Sequence, residues 1–413
     1  MTETTTAEHL NDASAAGVRR WWRYALPLVA ALAAWRGVAL GLAEYQYRAG
    51  QPEAALSWLQ DHPKANYRAA EAADAQSVVH LQRAVAANPA DPWPLVGLAE
   101  YWYGRGDLRR ADDAAEAAAR LAPHDAPLHL RLANHWLRRD DTGRALAAWS
   151  TALAADDSLR GRLYPILLRL AESPGGAALM AGPARTPAPW WEGFFQYAAR
   201  EAELDTVHRL MELRQSQGAV GAAERAAYVE RLQREGQWGA AYMSWLNGLS
   251  QRQRRALGTV FNGGFEQPLS GGGFGWAVDP RAPASIDVGR TYGTAGRHAL
   301  QVVFRGEARP FRGLEQALFL APGHYRLRGR ARPDNLNAAQ GVRWELTCAG
   351  AATLGVSAPF VGVDQWRPFW VEITVPPTGC PGQRLRLVSR GETAADHRIK
   401  GSVWFDGLTI KPW

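Results

Sequence analysis

Six residues in the carboxy-terminal part of the chain have the types that recognition of a sugar requires. Trp276, Tyr292, Trp366 and Trp370 offer flat rings that can stack on a pyranose, and Asp364 and Gln365 stand beside two of them as polar partners. Aromatic faces with a few hydrogen-bonding groups suit a polar ring with an apolar face. Trp276 lies in a Gly-rich segment, which would leave its ring free, and the spacing of Trp366 and Trp370 puts both on one strand face. The same residue types also fill β-sandwich cores. Trp344 reads that way, because it alternates with Leu346 and Cys348.

No reactive constellation accompanies these rings. The chain has no G-x-S-x-G elbow, no phosphate loop, no H-E-x-x-H and no kinase motif set. Gly271-Gly272-Gly273-Phe274-Gly275 lacks the lysine and helix of a phosphate loop and reads as a flexible turn. The histidines, among them His124, His129, His298 and His324, are scattered and share no metal-ligand spacing. A glycosidase would need two carboxylates facing one cleft, and Glu345, Glu372 and Asp364 are the residues it would draw on. The expectation is a binding protein and not an enzyme, with no catalytic cofactor. There are two cysteines, Cys348 and Cys380. They are either a disulfide or two separate buried thiols, and they are too few for a zinc site. The amino terminus points to export, which favours the disulfide.

The elements that must carry these residues are of two kinds. Leu98, Ala99, Trp102, Ala111 and Ala118 recur as Leu132, Ala133, Trp136, Ala145 and Ala152, a spacing of 34. Small residues at 99, 111 and 118 let two helices approach closely, and Leu98 and Trp102 share one helical face. Gly106 supplies the turn, Asp107 caps the second helix and Pro123 ends it. An earlier unit keeps Leu81, Ala84 and Pro89 in phase, and a later one keeps Tyr228, Leu232, Gly236, Ala241, Trp245 and Gly248. Residues 190–200 and 205–214 read as a further helix pair, and the Pro- and Gly-rich stretch 173–189 as a loop. Over about half its length the chain resembles tetratricopeptide-repeat proteins. The resemblance implies stacked hairpins with a groove that holds a protein partner.

Residues 1–20 are polar and read as a disordered cytoplasmic tail. Arg19, Arg20 and Arg23 precede an apolar run, with Trp21, Trp22 and Tyr24 at one edge and Tyr45 and Tyr47 at the other. Twenty helical residues span about 30 Å, enough for a bilayer core. A single-pass signal-anchor over 21–47 is the first reading, a cleaved signal peptide the second and a buried soluble helix the third. Arg36 opposes the first, since it costs about 2.5–3.5 kcal/mol near the bilayer centre unless it reaches outward. The positive side stays inside, so the bulk would lie in the periplasm of a bacterial inner membrane. The net charge of +7 is spread along the chain without a dense Lys/Arg block, so nucleic acid is not an expected partner. An acidic polysaccharide or anionic lipid would suit it.

Near residue 258 helical periodicity gives way to short alternating runs. Candidate strands cover 299–305, 314–320, 324–330, 342–348, 366–375, 384–389 and 401–410. Seven or more such strands read as an antiparallel β-sandwich. The domain opens on Asn262-Gly263-Gly264-Phe265-Glu266 and closes on Val403-Trp404-Phe405-Asp406-Gly407-Leu408. These two motifs make residues 258–413 resemble the galactose-binding-like jelly rolls, which include carbohydrate-binding modules. The resemblance implies a glycan as ligand and a structural calcium at Glu266 and Asp406. Gly407 stands where many members carry a second Asp, and the alternative is that the two carboxylates cap a strand junction.

The expected fold is therefore a multidomain α+β chain. A transmembrane helix (21–47) is followed by a helical repeat domain (48–257) and a jelly roll (258–413). The expected role is a periplasmic scaffold in surface polysaccharide assembly or export. A purely structural subunit and a glycan-processing enzyme are the alternatives.

Overall fold

The computed structural model describes residues 8–72, 76–218, 220–350 and 352–413. The chain divides into two compact units, residues 1–167 and 168–413.

The first unit is helical: α1 (Glu8–Arg48), α2 (Pro52–Trp58), α3 (Pro63–Ala72), α4 (Ser77–Ala87), α5 (Trp93–Gly104), α6 (Leu108–Leu121), α7 (Ala126–Arg138) and α8 (Thr142–Ala155). The unit boundary falls within α9 (Arg160–Glu172). Successive helices pair as hairpins, α3 with α4, α5 with α6, α7 with α8, and each hairpin packs on the next. The repeat of 34 is a repeat of contacts. Asp107 caps α6 by accepting from the Arg110 backbone N–H, and Asp141 caps α8 by accepting from that of Arg144. The Arg110 guanidinium lies 4.7 Å from the Trp102 ring, and that of Arg144 lies 4.5 Å from Trp136. Ala99, Ala111, Ala118, Leu132, Ala133, Trp136, Ala145 and Ala152 are buried, while Leu98 and Trp102 are half-buried. The α5–α6 and α7–α8 turns each use a left-handed residue. Gly106 supplies it at φ 76°, and Asp140 takes the equivalent place at φ 55°. Asp112 on α6 receives His135 Nε2 at 3.0 Å and Arg139 Nε at 3.1 Å from α7 and its end, tying one hairpin to the next.

Helix α1 starts at Glu8, well ahead of the apolar run, so residues 8–20 are helical where a disordered tail was expected. Residues 1–7 and the side chains of the inner aromatic edge, 19–24, lie outside the described residues. Within Ala25–Arg48, an 18-residue window has a mean hydropathy of 1.7, and only 6% of that window is buried. Leu26, Leu28, Val29, Leu32 and Trp35 all face outward. The chain thus does not use this segment as a buried core helix. Only its far end is covered: Ala43 is buried with Ala55 and Ala65, from α2 and α3.

The second unit opens with α10 (Gly176–Arg185), α11 (Trp191–Glu201), α12 (Leu204–Gln217), α13 (Ala222–Arg234), α14 (Trp238–Asn247) and α15 (Gln251–Arg254). The stretch 173–189, read as a loop, contains α10 despite Pro183. Packing overrides propensity here, since Met180 and Ala184 are fully buried and α10 packs on α12. Arg214 on α12 donates to the Ala184 carbonyl at 2.8 Å, satisfying one of the acceptors left open at the end of α10. The same arginine pairs with Glu224 of α13 at 2.8 Å, in a site where both side chains are buried. Glu224 also accepts from Trp191 Nε1 and from the Gly221 backbone N–H, each at 2.6 Å. One carboxylate thus links α11, α12 and α13.

The rest of the unit is a sandwich of two five-stranded antiparallel sheets. Its strands are β1 (Trp276–Val278), β2 (Ala284–Arg290), β3 (His298–Ala308), β4 (Leu314–Leu318), β5 (Gly323–Asn337), β6 (Val342–Cys348), β7 (Thr353–Val356), β8 (Arg367–Val375), β9 (Gln383–Ser389) and β10 (Arg398–Pro412). One sheet has the order β1-β4-β9-β6-β7 and the other β2-β3-β10-β5-β8. All seven expected strands are present. The three not anticipated, β1, β2 and β7, are sheet-edge strands, and β1 and β7 are very short. The opening and closing motifs are neighbours, with Leu408 N donating to Gly263 O at 2.8 Å. Cys348 and Cys380 form a disulfide.

Helix to strand changes where the sequence changes, but the compact unit does not divide there. Trp238 and Tyr242 of α14 pack with Phe274 and Ala317 against the outer face of the β1-β4-β9-β6-β7 sheet. A Cβ at Gly382 would overlap the Trp238 indole, so that close approach requires glycine. One outer face of the sandwich is thereby partly roofed by helix.

Two outcomes follow from these buried links. Glu224→Gln removes the buried carboxylate that Arg214 is ion-paired with, at a cost of about 3–5 kcal/mol. Burial pushes the Glu224 carboxyl up, but hydrogen bonds from Arg214, Gly221 and Trp191 outweigh it and hold it below the usual range. Its contribution is complete above the unfolded carboxylate pKa and is lost as pH falls through the lower folded value. Urea unfolding should therefore show a gap between wild type and variant at pH 7 that narrows in acid. The disulfide closes a loop between residues 32 apart, worth about 3–4 kcal/mol in the chain-entropy account. Reductant should lower the urea midpoint, and the double variant Cys348→Ser/Cys380→Ser should match the reduced protein.

Candidate functional site

The free outer face belongs to the β2-β3-β10-β5-β8 sheet. Strand alternation decides what it displays. On β5, Leu327 and Ala331 join the core, so Arg326, Arg328, Arg330 and Arg332 point the other way. On β8, Val371, Ile373 and Val375 face inward, leaving Trp370, Glu372 and Thr374 outside. Register then sets the neighbours: Arg328 lies opposite Trp370, and Arg326 opposite Glu372. On the other side of β5, Trp404 of β10 lies opposite Arg332.

Two loops fold over one end of this face. Tyr292 and Gly293 follow β2, and Asp364, Gln365 and Trp366 precede β8. Trp366 Nε1 donates to the Tyr292 carbonyl at 2.7 Å, and Arg330 Nη1 donates to the Gly293 carbonyl at 2.7 Å. Arg332 is buried under the loop, where it donates to Thr291 Oγ1 at 2.9 Å. Its guanidinium lies 4.3 Å from the Tyr292 ring, 5.4 Å from Trp404 and 5.5 Å from Trp366. Stacked guanidinium groups of this kind hold aromatic rings in place without covering both faces. Tyr292 remains 75% exposed and Trp370 62% exposed, while Trp366 is half-buried. Asp364 is taken up by Arg367 at 2.7 Å, and Gln365 is exposed beside it.

Trp276 is not part of this face. It is 1% exposed and lies in β1, paired with β4, with Phe265 and Trp344 rings 5.5 and 5.6 Å away. The flexible glycines precede it, but the strand itself points its ring into the core, so the expectation of a free indole is corrected. Trp344 is a core residue, as its alternation indicated. What the sequence reading missed is the arginine series. The signal was present in Tyr325-Arg-Leu-Arg-Gly-Arg-Ala-Arg332, where every second residue is basic.

Glu266 and Asp406 meet at one turn. Glu266 Oε1 accepts from the backbone N–H groups of Arg297 and His298, at 2.8 and 3.0 Å. Asp406 Oδ2 accepts from Ala295 N at 2.8 Å. Both carboxylates therefore clamp the turn that enters β3. Asp406 Oδ1, fully buried, has no hydrogen-bond partner among the described residues.

The acidic residues that a hydrolase would pair do not converge. Glu345 of β6 faces outward from one sheet and Glu372 of β8 outward from the other. Glu345 lines a cleft of about 530 Å3 against α13, with Arg234, Arg312, Arg384 and Arg386. Two carboxylates offset part of the charge there, Glu315 shared by Arg384 and Arg386 at 2.8 and 2.7 Å and Glu345 held by Arg390 at 2.9 Å, and the cleft stays basic.

No protein-family model matches the chain, and no curated protein matches it. Among solved structures, a CBM4 carbohydrate-binding module is 14% identical, covering 37% of this chain and 99% of its own length, with a TM-score of 0.28. A CBM61 module in complex with β-1,4-galactotriose is 16% identical, covering 38% of this chain and 99% of its own, with a TM-score of 0.27. A thermophilic TPR protein of Thermus thermophilus is 23% identical, covering 43% of this chain and 98% of its own, with a TM-score of 0.23. The sheet half is thus similar to carbohydrate-binding modules and the helical half to TPR proteins.

Proposed function

We propose that this chain is a membrane-anchored periplasmic adaptor and not an enzyme. Its helical repeats dock a protein partner, and its sandwich holds a glycan, in the assembly or export of a surface polysaccharide. The observation that carries the reading is the free sheet face, where Tyr292, Trp366 and Trp370 are presented by two loops and a strand rather than consumed by the core. The outward apolar side chains of α1 support an anchor, because an unburied apolar run long enough to span a bilayer is favoured by lipid over water. The disulfide supports an oxidising compartment.

The full chain in neutral detergent, run on native gels containing polysaccharide, tests this reading. Retardation is expected, and Trp370→Ala should reduce it about tenfold or more in affinity, as loss of a stacking ring does, with an unchanged melting temperature. No retardation by any acidic or neutral polysaccharide would favour a purely structural subunit. Release of reducing ends would favour a glycan-processing enzyme.

A second reading concerns metal. A buried carboxylate oxygen without a donor is costly, and a cation would satisfy it. Asp406 Oδ1 would hold a structural calcium beside the turn that Glu266 clamps. Chelator should then lower the melting temperature of the wild type but not of Asp406→Asn. A melt insensitive to chelator and to added calcium leaves both residues as hydrogen-bond clamps alone.

A further inference from the structure

We infer that the free sheet face takes an acidic glycan, a polymer carrying carboxylates, and that Arg328 is the residue that reads its charge. The inference rests on the glycan reading above and narrows it to a ligand class. Successive outward arginines on β5 stand about 6.5–7 Å apart, two residues along an extended strand. They differ in what they are already doing. Arg332 is buried and bonded to Thr291, and Arg330 is bonded to the Gly293 carbonyl. Arg326 pairs with Glu372 at 3.0 Å and lies 4.2 Å from the Trp413 ring. Arg328 is exposed and has neither an ion pair nor a hydrogen bond among the described residues.

The surroundings of Arg328 explain why this freedom points to an anion. Its neighbours across the strands are Trp370 on one side and Thr409 on the other. Neither is acidic. Lys411 lies opposite Arg326 and is exposed, so positive charge continues along the face. A neutral sugar would use this guanidinium only for ordinary hydrogen bonds to its hydroxyls, whereas its planar fork matches a carboxylate with two parallel, charge-assisted hydrogen bonds of roughly twice the strength. With Trp370 directly opposite, a ring stacked on the indole would bring its carboxylate to Arg328. The other basic cluster, in the cleft beside α13, offers no exposed ring for a sugar to stack on: Trp238, the aromatic residue that lines it, is buried.

The test uses the full chain in neutral detergent, on native gels containing polygalacturonate or, separately, a neutral galactan. Polygalacturonate should retard the protein, and the neutral polymer should do so at least tenfold more weakly, with retardation falling as salt rises. Arg328→Gln should lower the affinity for polygalacturonate about tenfold and leave the melting temperature unchanged. Arg281→Ala, which removes an exposed charge from another loop, should change nothing. Equal retardation by the neutral polymer, insensitive to Arg328→Gln, overturns the inference and leaves the glycan reading standing. Equal losses from Arg328→Gln and Arg281→Ala overturn it in favour of general charge attraction. A shift only in micelles containing phosphatidylglycerol, removed by Arg328→Gln, overturns it in favour of an anionic lipid surface. No retardation by either polymer overturns the inference, and none by any other polysaccharide removes the glycan reading as well.

Discussion

The seating of α14 on the sandwich is the constraint from which the rest of the second unit follows. Trp238 and Tyr242 need apolar cover, and they find it on the outer side of the β1-β4-β9-β6-β7 sheet, with Gly382 thinned to let the indole in. Burying Trp238 fully and Tyr242 in part is worth several kcal/mol there on the area scale. That contact uses one of the two outer faces. It leaves the other to display whatever the module displays, and that face carries the exposed rings.

The free face is built by a division of labour. Core residues on alternate positions of β5, β8 and β10 anchor the sheet and fix its register. Arg330 and Arg332 then spend their donors on the loop after β2, and Trp366 bonds to the same loop. These contacts order the loop without a second layer of apolar residues. Charge and aromatic surface are therefore structural at one end of the face and uncommitted at the other, around Arg328 and Trp370. The same economy appears at Glu224, where one carboxylate organises three helices.

Much of this was legible in the sequence, for identifiable reasons. The spacing of 34 was readable because alanines at helix contacts and aspartates at caps repeat with the geometry they serve. Strands β3 to β6 and β8 to β10 were readable from alternation, which requires one buried and one wet face. Strands β1 and β7 were not, because three or four residues show too little of a period. Helix α10 was hidden by Pro183, since local propensity knows nothing of the buried contacts of Met180 and Ala184. Trp276 was misplaced because neighbouring glycines describe the chain before it, not the strand it belongs to. The basic alternation of β5 was visible but gained meaning only when register set Trp370 opposite Arg328. That the helices from α10 onward share a compact unit with the sandwich depends on long-range packing, which no local pattern encodes.

Helix α1 passes without a break from its lipid-type surface to the alanines that pack on α2 and α3. In an anchored chain, no flexible tether separates bilayer from first hairpin. The opening repeats are then held like a bracket bolted to a wall, at a fixed height and angle. In that arrangement whatever the repeats grip would meet them close to the membrane surface.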